Sequence, residues 1–207
     1  MKLTYFNFYG RVEAIRLMLH ASKTEFEDVR LEFSEWGSMK TDQEKFPYGQ
    51  LPVLENKGKV YCQSMAMFKY VSKICGYTPD DAESQFHVEE AVESCREAIS
   101  GIFKMYQLKT EEEKKEAMAD IKPKIEPSFE TWEKNLKDNG DKDHYFGAKD
   151  TLADFFFTCF YTDSIRSGPC GEFLQDILSA YPTVKAYFET RAEMHKDYFE
   201  KRPKCPY

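Results

Sequence analysis

The 207-residue chain is predicted to fold as a mixed α/β half followed by an all-α half. Three observations predict this. The first 76 residues alternate strand-like and helix-like apolar patterns, no convincing strand pattern follows them, and Gly76-Tyr-Thr-Pro-Asp-Asp81 between the halves is rich in turn formers. The expected divisions are residues 1–76, a linker at 77–82 and a helical part at 83–207. An apolar content of 42%, with 15% aromatic residues, is enough for packed cores and argues against disorder.

In the first half, Lys2–Phe8 alternates apolar with polar residues and Gly10 breaks the strand. Val12, Ile15, Met18 and Leu19 then recur at helical spacing. Phe26–Phe33 reads as a second strand with Val29, Leu31 and Phe33 on one side, followed by a short helix or loop from Ser34 to Phe46. Val53-Leu54 and Val60-Tyr61 flank Asn56-Lys57-Gly58-Lys59 as a hairpin would, with Pro52 at the start, where a strand tolerates a missing N–H. Gln63-Ser64 opens a further helix. The order describes a small mixed sheet with helices on its faces.

In the second half, Val88, Ala91, Val92, Cys95, Ala98, Ile99, Ile102, Phe103 and Tyr106 form the stripe of a long amphipathic helix. Met118, Ile121, Ile125, Phe129, Trp132 and Leu136 form another, which Pro123 and Pro127 are expected to kink or interrupt. Thr151-Leu-Ala-Asp154 is a capping-box pattern, and the Phe155–Tyr161 run after it is apolar all round, as the buried centre of a bundle would be. Further helices are expected at Glu172–Ser179 and Thr183–Met194.

Charge and cysteine usage narrow the function classes. Residues 1–76 carry a net +2 and residues 77–207 a net −9, without a basic stripe, which argues against nucleic acid. No apolar run reaches the ~20 residues that cross a bilayer, and the N-terminus is too short and polar for a signal peptide. The six cysteines, at 62, 75, 95, 159, 170 and 205, form no CxxC pair and no tight metal spacing, so reduced thiols in the cytoplasm are expected. A backbone edge at Leu51, with a hydroxyl and free N–H groups at Ser64, suits a small peptide-like anion.

Lys2-Leu-Thr-Tyr-Phe-Asn7, Gly10-Arg11, Trp36, Lys40, Gly49-Gln-Leu-Pro-Val-Leu-Glu55, Gln63-Ser64 and Thr151-Leu-Ala-Asp-Phe155 occur in that order across nearly the whole chain. Together they resemble the soluble glutathione transferases, most of all the sigma class, which includes glutathione-dependent prostaglandin D synthases. The resemblance implies an α/β thioredoxin-like domain with a four-stranded mixed sheet, then an all-α helical bundle. It implies conjugation of glutathione to hydrophobic electrophiles, with glutathione as cosubstrate, no other cofactor, no metal, no membrane and a cytoplasmic homodimer.

Tyr5 is then the residue that stabilises the glutathione thiolate, with Arg11 assisting. Lowering a thiol from near ~8.5 by about two units needs roughly 2.7 kcal/mol, and one hydrogen bond to an anion contributes about 1.5–3 kcal/mol. Taken alone, Tyr5 reads as a core aromatic. The glycine carboxylate falls to Trp36 and Lys40, which by themselves read as a packing tryptophan and a solvated lysine. The cysteinyl backbone falls to Leu51 beside a cis Pro52, and the γ-glutamyl carboxylate to Gln63 and Ser64. Gln50 departs from the lysine that sigma relatives often carry. Glu97 matches an acid that reaches the γ-glutamyl amine from a partner subunit; a solvated helix face, with Arg96 pairing Glu93, is the alternative.

The electrophile pocket implied by position is lined by Phe8, Gly10, Arg11, Ile99, Phe103, Lys104, Phe156 and Phe160. Prostaglandin-forming relatives place a tryptophan near Lys104 and a tyrosine at Phe156, so an isomerase or lipid hydroperoxidase is the second reading. A crystallin-like binder is the third. Tyr5 in place of a cysteine disfavours a thiol-disulfide oxidoreductase.

Overall fold

β1 (Lys2–Phe6) lies inside a four-stranded sheet of order β2-β1-β3-β4, parallel to β2 (Glu27–Leu31) and antiparallel to β3 (Val53–Asn56). β4 (Lys59–Cys62) closes the hairpin with β3. Its turn residues Lys57 and Gly58 both have positive φ, 49° and 73°, the combination that a two-residue hairpin turn favours. The structure, a computed structural model, describes residues 1–103, 105 and 108–205.

Helices cover the sheet because their apolar stripes leave them little else to do. α1 (Glu13–Ala21) buries Ile15, Leu17, Met18 and Leu19, and α3 (Ser64–Ile74) buries Met67, Phe68 and Val71. Both predicted strands are shorter than expected. β1 stops at Phe6, and Asn7 N–H bonds to the Leu31 carbonyl at 2.9 Å. Phe33 starts α2 (Phe33–Met39) rather than ending β2, because Glu32 and Glu35 close a capping box in which Glu32 N–H donates to Glu35 Oε2 at 2.8 Å. Phe33 is 60% exposed but stacks on Phe6 with ring centres 4.4 Å apart.

The chain divides into two compact units, Met1–Gly76 with Asp197–Tyr207, and Tyr77–Lys196. The second holds α4 (Ala82–Phe103), α5 (Glu111–Asn139), α6 (Leu152–Cys159), a π-helical turn (Phe160–Arg166), α7 (Gly171–Ser179) and α8 (Pro182–Met194). Lys104 and Tyr106 lie outside the described residues, as does the side chain of Phe103. α9 (Lys196–Lys201) and the residues after it group with the first unit, where the sequence had placed everything from 83 onward in the helical half. The physical reason is a pair of hydrogen bonds from Tyr198 and Arg202 to Glu13 at the start of α1, both 2.7 Å.

α5 is one continuous helix of 29 residues through Pro123 and Pro127. The two prolines are exposed and four residues apart, so the carbonyls they leave unbonded face water rather than the core. Every residue of α6 is buried, as its all-round apolarity predicts. Trp132 of α5, 1% exposed, packs on Phe129 and Phe157 and donates its indole N–H to Ser94 Oγ on α4 at 2.8 Å.

Asp154 ties the start of α6 to two other segments. Its fully buried carboxylate accepts from Thr151 N–H (2.7 Å), Thr151 Oγ1 (2.9 Å), Tyr145 N–H (2.8 Å) and the Tyr187 hydroxyl (2.6 Å). Asp154→Ala strands several buried donors, each costing about 1–3 kcal/mol. We expect a loss of at least ~3 kcal/mol, read as a lowered urea midpoint at unchanged slope.

Candidate functional site

Sheet register assembles the site before any side chain does. β1 pairs Thr4 with Val53, and β3 pairs Val53 with Cys62. The next residues outward, Tyr5, Pro52 and Gln63, therefore share one end of the sheet. Tyr5 is 6% exposed, and its ring lies against Phe6 and Phe8, at 5.6 and 6.3 Å between centres. Burial pushes the phenol up, so the proton stays on and the group is a hydrogen-bond donor at neutral pH. The Arg11 backbone N–H and the Arg11 and Arg16 charges work against that rise, favouring the ionised form.

Gly10 lets the backbone pass close to the Tyr5 hydroxyl. Its φ is +45°, and a Cβ there would sit 2.8 Å from the Phe8 ring and 3.2 Å from the Tyr5 oxygen. Gly10–Val12 makes a 3₁₀ turn into α1 and leaves Arg11 exposed. Rings continue from Tyr5 through Phe6 to Trp36, which meets Phe6 edge-on at 6.0 Å and Phe46 edge-on at 4.9 Å. Trp36 is half-buried. Lys40 is one turn further along, its N–H bonded to the Trp36 carbonyl at 3.0 Å and its side chain exposed. An indole N–H and an ammonium on one helix face suit an anion.

The Leu51–Pro52 peptide is cis, with Pro52 buried and Gln50 exposed beside it. Gln63 sits at φ 69° immediately before α3, and Ser64 is the first helical residue, half-buried. A left-handed glutamine is uncommon, and such conformations cluster at ligand sites. Composition and spacing carry no signal for it. Arg16 and Glu13 were likewise not singled out. The clue was an i,i+3 charge pair inside an apolar helix; both are 1% exposed and 3.0 Å apart.

The structure thus brings Tyr5, Phe8, Gly10 and Arg11 together, and sets Trp36 beside Lys40. It aligns Tyr5 with Pro52 and Gln63. In the helical unit, Ile99 is half-buried and Phe156 is 7% exposed. Phe160 is 1% exposed and packs among Trp132, Phe129 and Phe188, which places it in the bundle core. Arg96 pairs with Glu93 at 2.7 Å, while Glu97 is exposed with no ion-pair partner among the described residues. The cysteines are free; burial pushes the Cys62, Cys95 and Cys170 thiols up, away from the reactive thiolate. Among the described residues no cluster suits a metal, and no helix is long and apolar enough to cross a membrane.

Comparison with known proteins places both halves of the chain in one family. Residues 1–73 match the family model for the glutathione S-transferase N-terminal domain, and residues 95–202 match that for the C-terminal domain. Glutathione S-transferase 1 of Ascaris suum is 30% identical over 212 aligned positions, covering 100% of this chain and 98% of that one. Hematopoietic prostaglandin D synthase of Gallus gallus is 28% identical, covering 92% and 96%. Among solved structures, monomeric Na-GST-3, a glutathione S-transferase of the hookworm Necator americanus, superposes with a TM-score of 0.82 at 27% identity, covering 100% and 98%. With both halves matched in order and a relative of equal extent, the chain belongs to the glutathione S-transferase family.

Proposed function

We propose that this glutathione transferase holds glutathione along the end of its sheet and activates the thiol through Tyr5. One observation carries the reading: a buried, protonated phenol at the sheet end that Pro52 and Gln63 share, with the Gly10 backbone close against its oxygen. Kept protonated by burial, the Tyr5 O–H is a donor for sulfur. As the thiol ionises, the O–H turns toward the thiolate and lowers its pKa, so more nucleophile is present at neutral pH.

The remaining groups orient the tripeptide. Trp36 and Lys40 take the glycine carboxylate, the backbone of Leu51 beside Pro52 pairs with the cysteinyl part, and Gln63 and Ser64 take the γ-glutamyl carboxylate at the start of α3. Gln50 donates a neutral amide. Ile99 and Phe156 of the helical unit bear on the second substrate, a hydrophobic electrophile, and no cofactor beyond glutathione is required. A sigma-like assignment fits the prostaglandin D synthase relative. Because Phe156 replaces the tyrosine expected of such an isomerase, conjugation is favoured over prostaglandin isomerisation.

Tyr5→Phe should keep binding to glutathione resin while losing about 10- to 100-fold in turnover of 1-chloro-2,4-dinitrobenzene near neutral pH, the equivalent of one strong hydrogen bond. The rate rises with pH through the bound thiol's pKa, so its midpoint should move up in the variant; unchanged turnover would remove Tyr5 from the chemistry. A panel including prostaglandin H2 and cumene hydroperoxide separates transferase from isomerase and peroxidase.

For the assembly we propose a cytoplasmic homodimer in which Glu97 of one chain meets the γ-glutamyl amine held by the other. Sedimentation velocity should give twice the chain mass, and Glu97→Ala should raise KM for glutathione about fivefold with kcat nearly unchanged. A monomer with an unaltered KM would sink this arrangement and align the chain with the monomeric hookworm relative.

A further inference from the structure

Glu13 is a buried carboxylate that the chemistry above does not use. It opens α1, is 1% exposed, and its two oxygens serve different parts of the first unit. Oε2 takes Arg16 Nη1 at 3.0 Å. Oε1 takes the Tyr198 hydroxyl and Arg202 Nη1, each at 2.7 Å, from residues 185 and 189 positions further along the chain.

Both arginines continue to the loop that follows β1. Arg16 Nη1 also donates to the Phe8 carbonyl at 2.8 Å. The Arg202 guanidinium lies 3.5 Å from the centre of the Tyr9 ring. Phe8 and Tyr9 are therefore held by two cations that share one buried anion. The next residues are Gly10, where a Cβ would sit 3.2 Å from the Tyr5 oxygen, and Arg11.

We propose that Arg202 is a positioning residue for the thiolate site: from the C-terminal tail, through Glu13 and Tyr9, it holds the Phe8–Arg11 loop in place against the Tyr5 hydroxyl. This rests on the Tyr5 reading above. The Arg202 side chain is only 9% exposed, so its ion pair and ring contact are both shielded from water, where such contacts are strongest. A preorganised donor loses much of its effect when it moves by a fraction of its bond length. Trp36, Lys40, Gln63 and Ser64 sit on other elements, so glutathione binding should not follow the loop.

The test titrates the thiolate of bound glutathione by ultraviolet difference absorbance on the full-length protein, with kcat and KM measured alongside. Arg202→Ala should raise the bound thiol's apparent pKa by about one unit, and lower kcat about tenfold below that pKa. KM for glutathione should stay within about twofold. Arg202→Lys, which keeps a charge for Glu13, should recover part of the loss. Lys201→Ala, whose side chain pairs with Asp197, should match the parent protein.

Removing Arg202 leaves Glu13 short of a cation, so Tyr9→Leu supplies a variant that spares the ion pair. It should displace the titration in the same direction by about half a unit, with about a threefold loss in kcat, and decides the matter alone if Arg202→Ala does not fold. If Tyr5→Phe displaces the titration but folded Arg202→Ala and Tyr9→Leu do not, the proposal is overturned and the Tyr5 reading stands. If Tyr5→Phe displaces nothing, both fall.

Discussion

The register of β1 against β3 is the constraint on which the rest of the site depends. Pairing Thr4 with Val53 and Val53 with Cys62 lines up Tyr5, Pro52 and Gln63 at one end of the sheet. A slip of one residue would turn Tyr5 to the opposite face, because side chains alternate along a strand. Leu3 and Leu54, opposite one another and fully buried, oppose such a slip. The hairpin turn at Lys57-Gly58 sets the second pairing from outside. Core packing and site geometry are therefore enforced by the same few contacts.

Each unit also answers the problem of burying charge in a similar way. In the first, Glu13 is shared by Arg16 and Arg202, and Arg16 passes on to Asp28 at 3.0 Å. In the second, Asp154 collects four donors, and Arg191, fully buried, reaches Asp150 at 2.6 Å. Such groups add little net stability over an apolar core, but each carboxylate specifies which segments must meet. Glu13 joins the two ends of the chain; Asp154 gathers the residues before α6 and the middle of α8.

Much of the fold was legible because it rests on periodicity. The alternation in Lys2–Phe6, the Asn56–Lys59 turn and the all-apolar Phe155–Phe160 run each state their own role. Gly10, Pro52 and Ser64 were legible through their residue types, which suit a strand break, a strand start and a helix start, whereas Tyr5 alone read as a core aromatic and its donor role came from the resemblance. What escaped depends on contacts across long stretches of chain. Nothing local shows that Tyr198 and Arg202 return to Glu13, so the C-terminal segment was assigned to the wrong unit. Prolines at 123 and 127 read as helix breakers because sequence alone does not reveal that both face water. Phe33 read as strand because β-propensity was weighed without the Glu32–Glu35 box.

Gln63 shows where folding and binding pull apart. Its backbone sits at φ 69°, where glycine would be at ease and glutamine is not. Substituting glycine would relieve the conformation at the cost of the side-chain amide assigned to the γ-glutamyl carboxylate. The position is therefore one at which selection for a tougher protein and selection for a working one favour different residues. On that proposed role, a stabilised descendant of this chain that carried glycine there would have traded ligand capture for robustness.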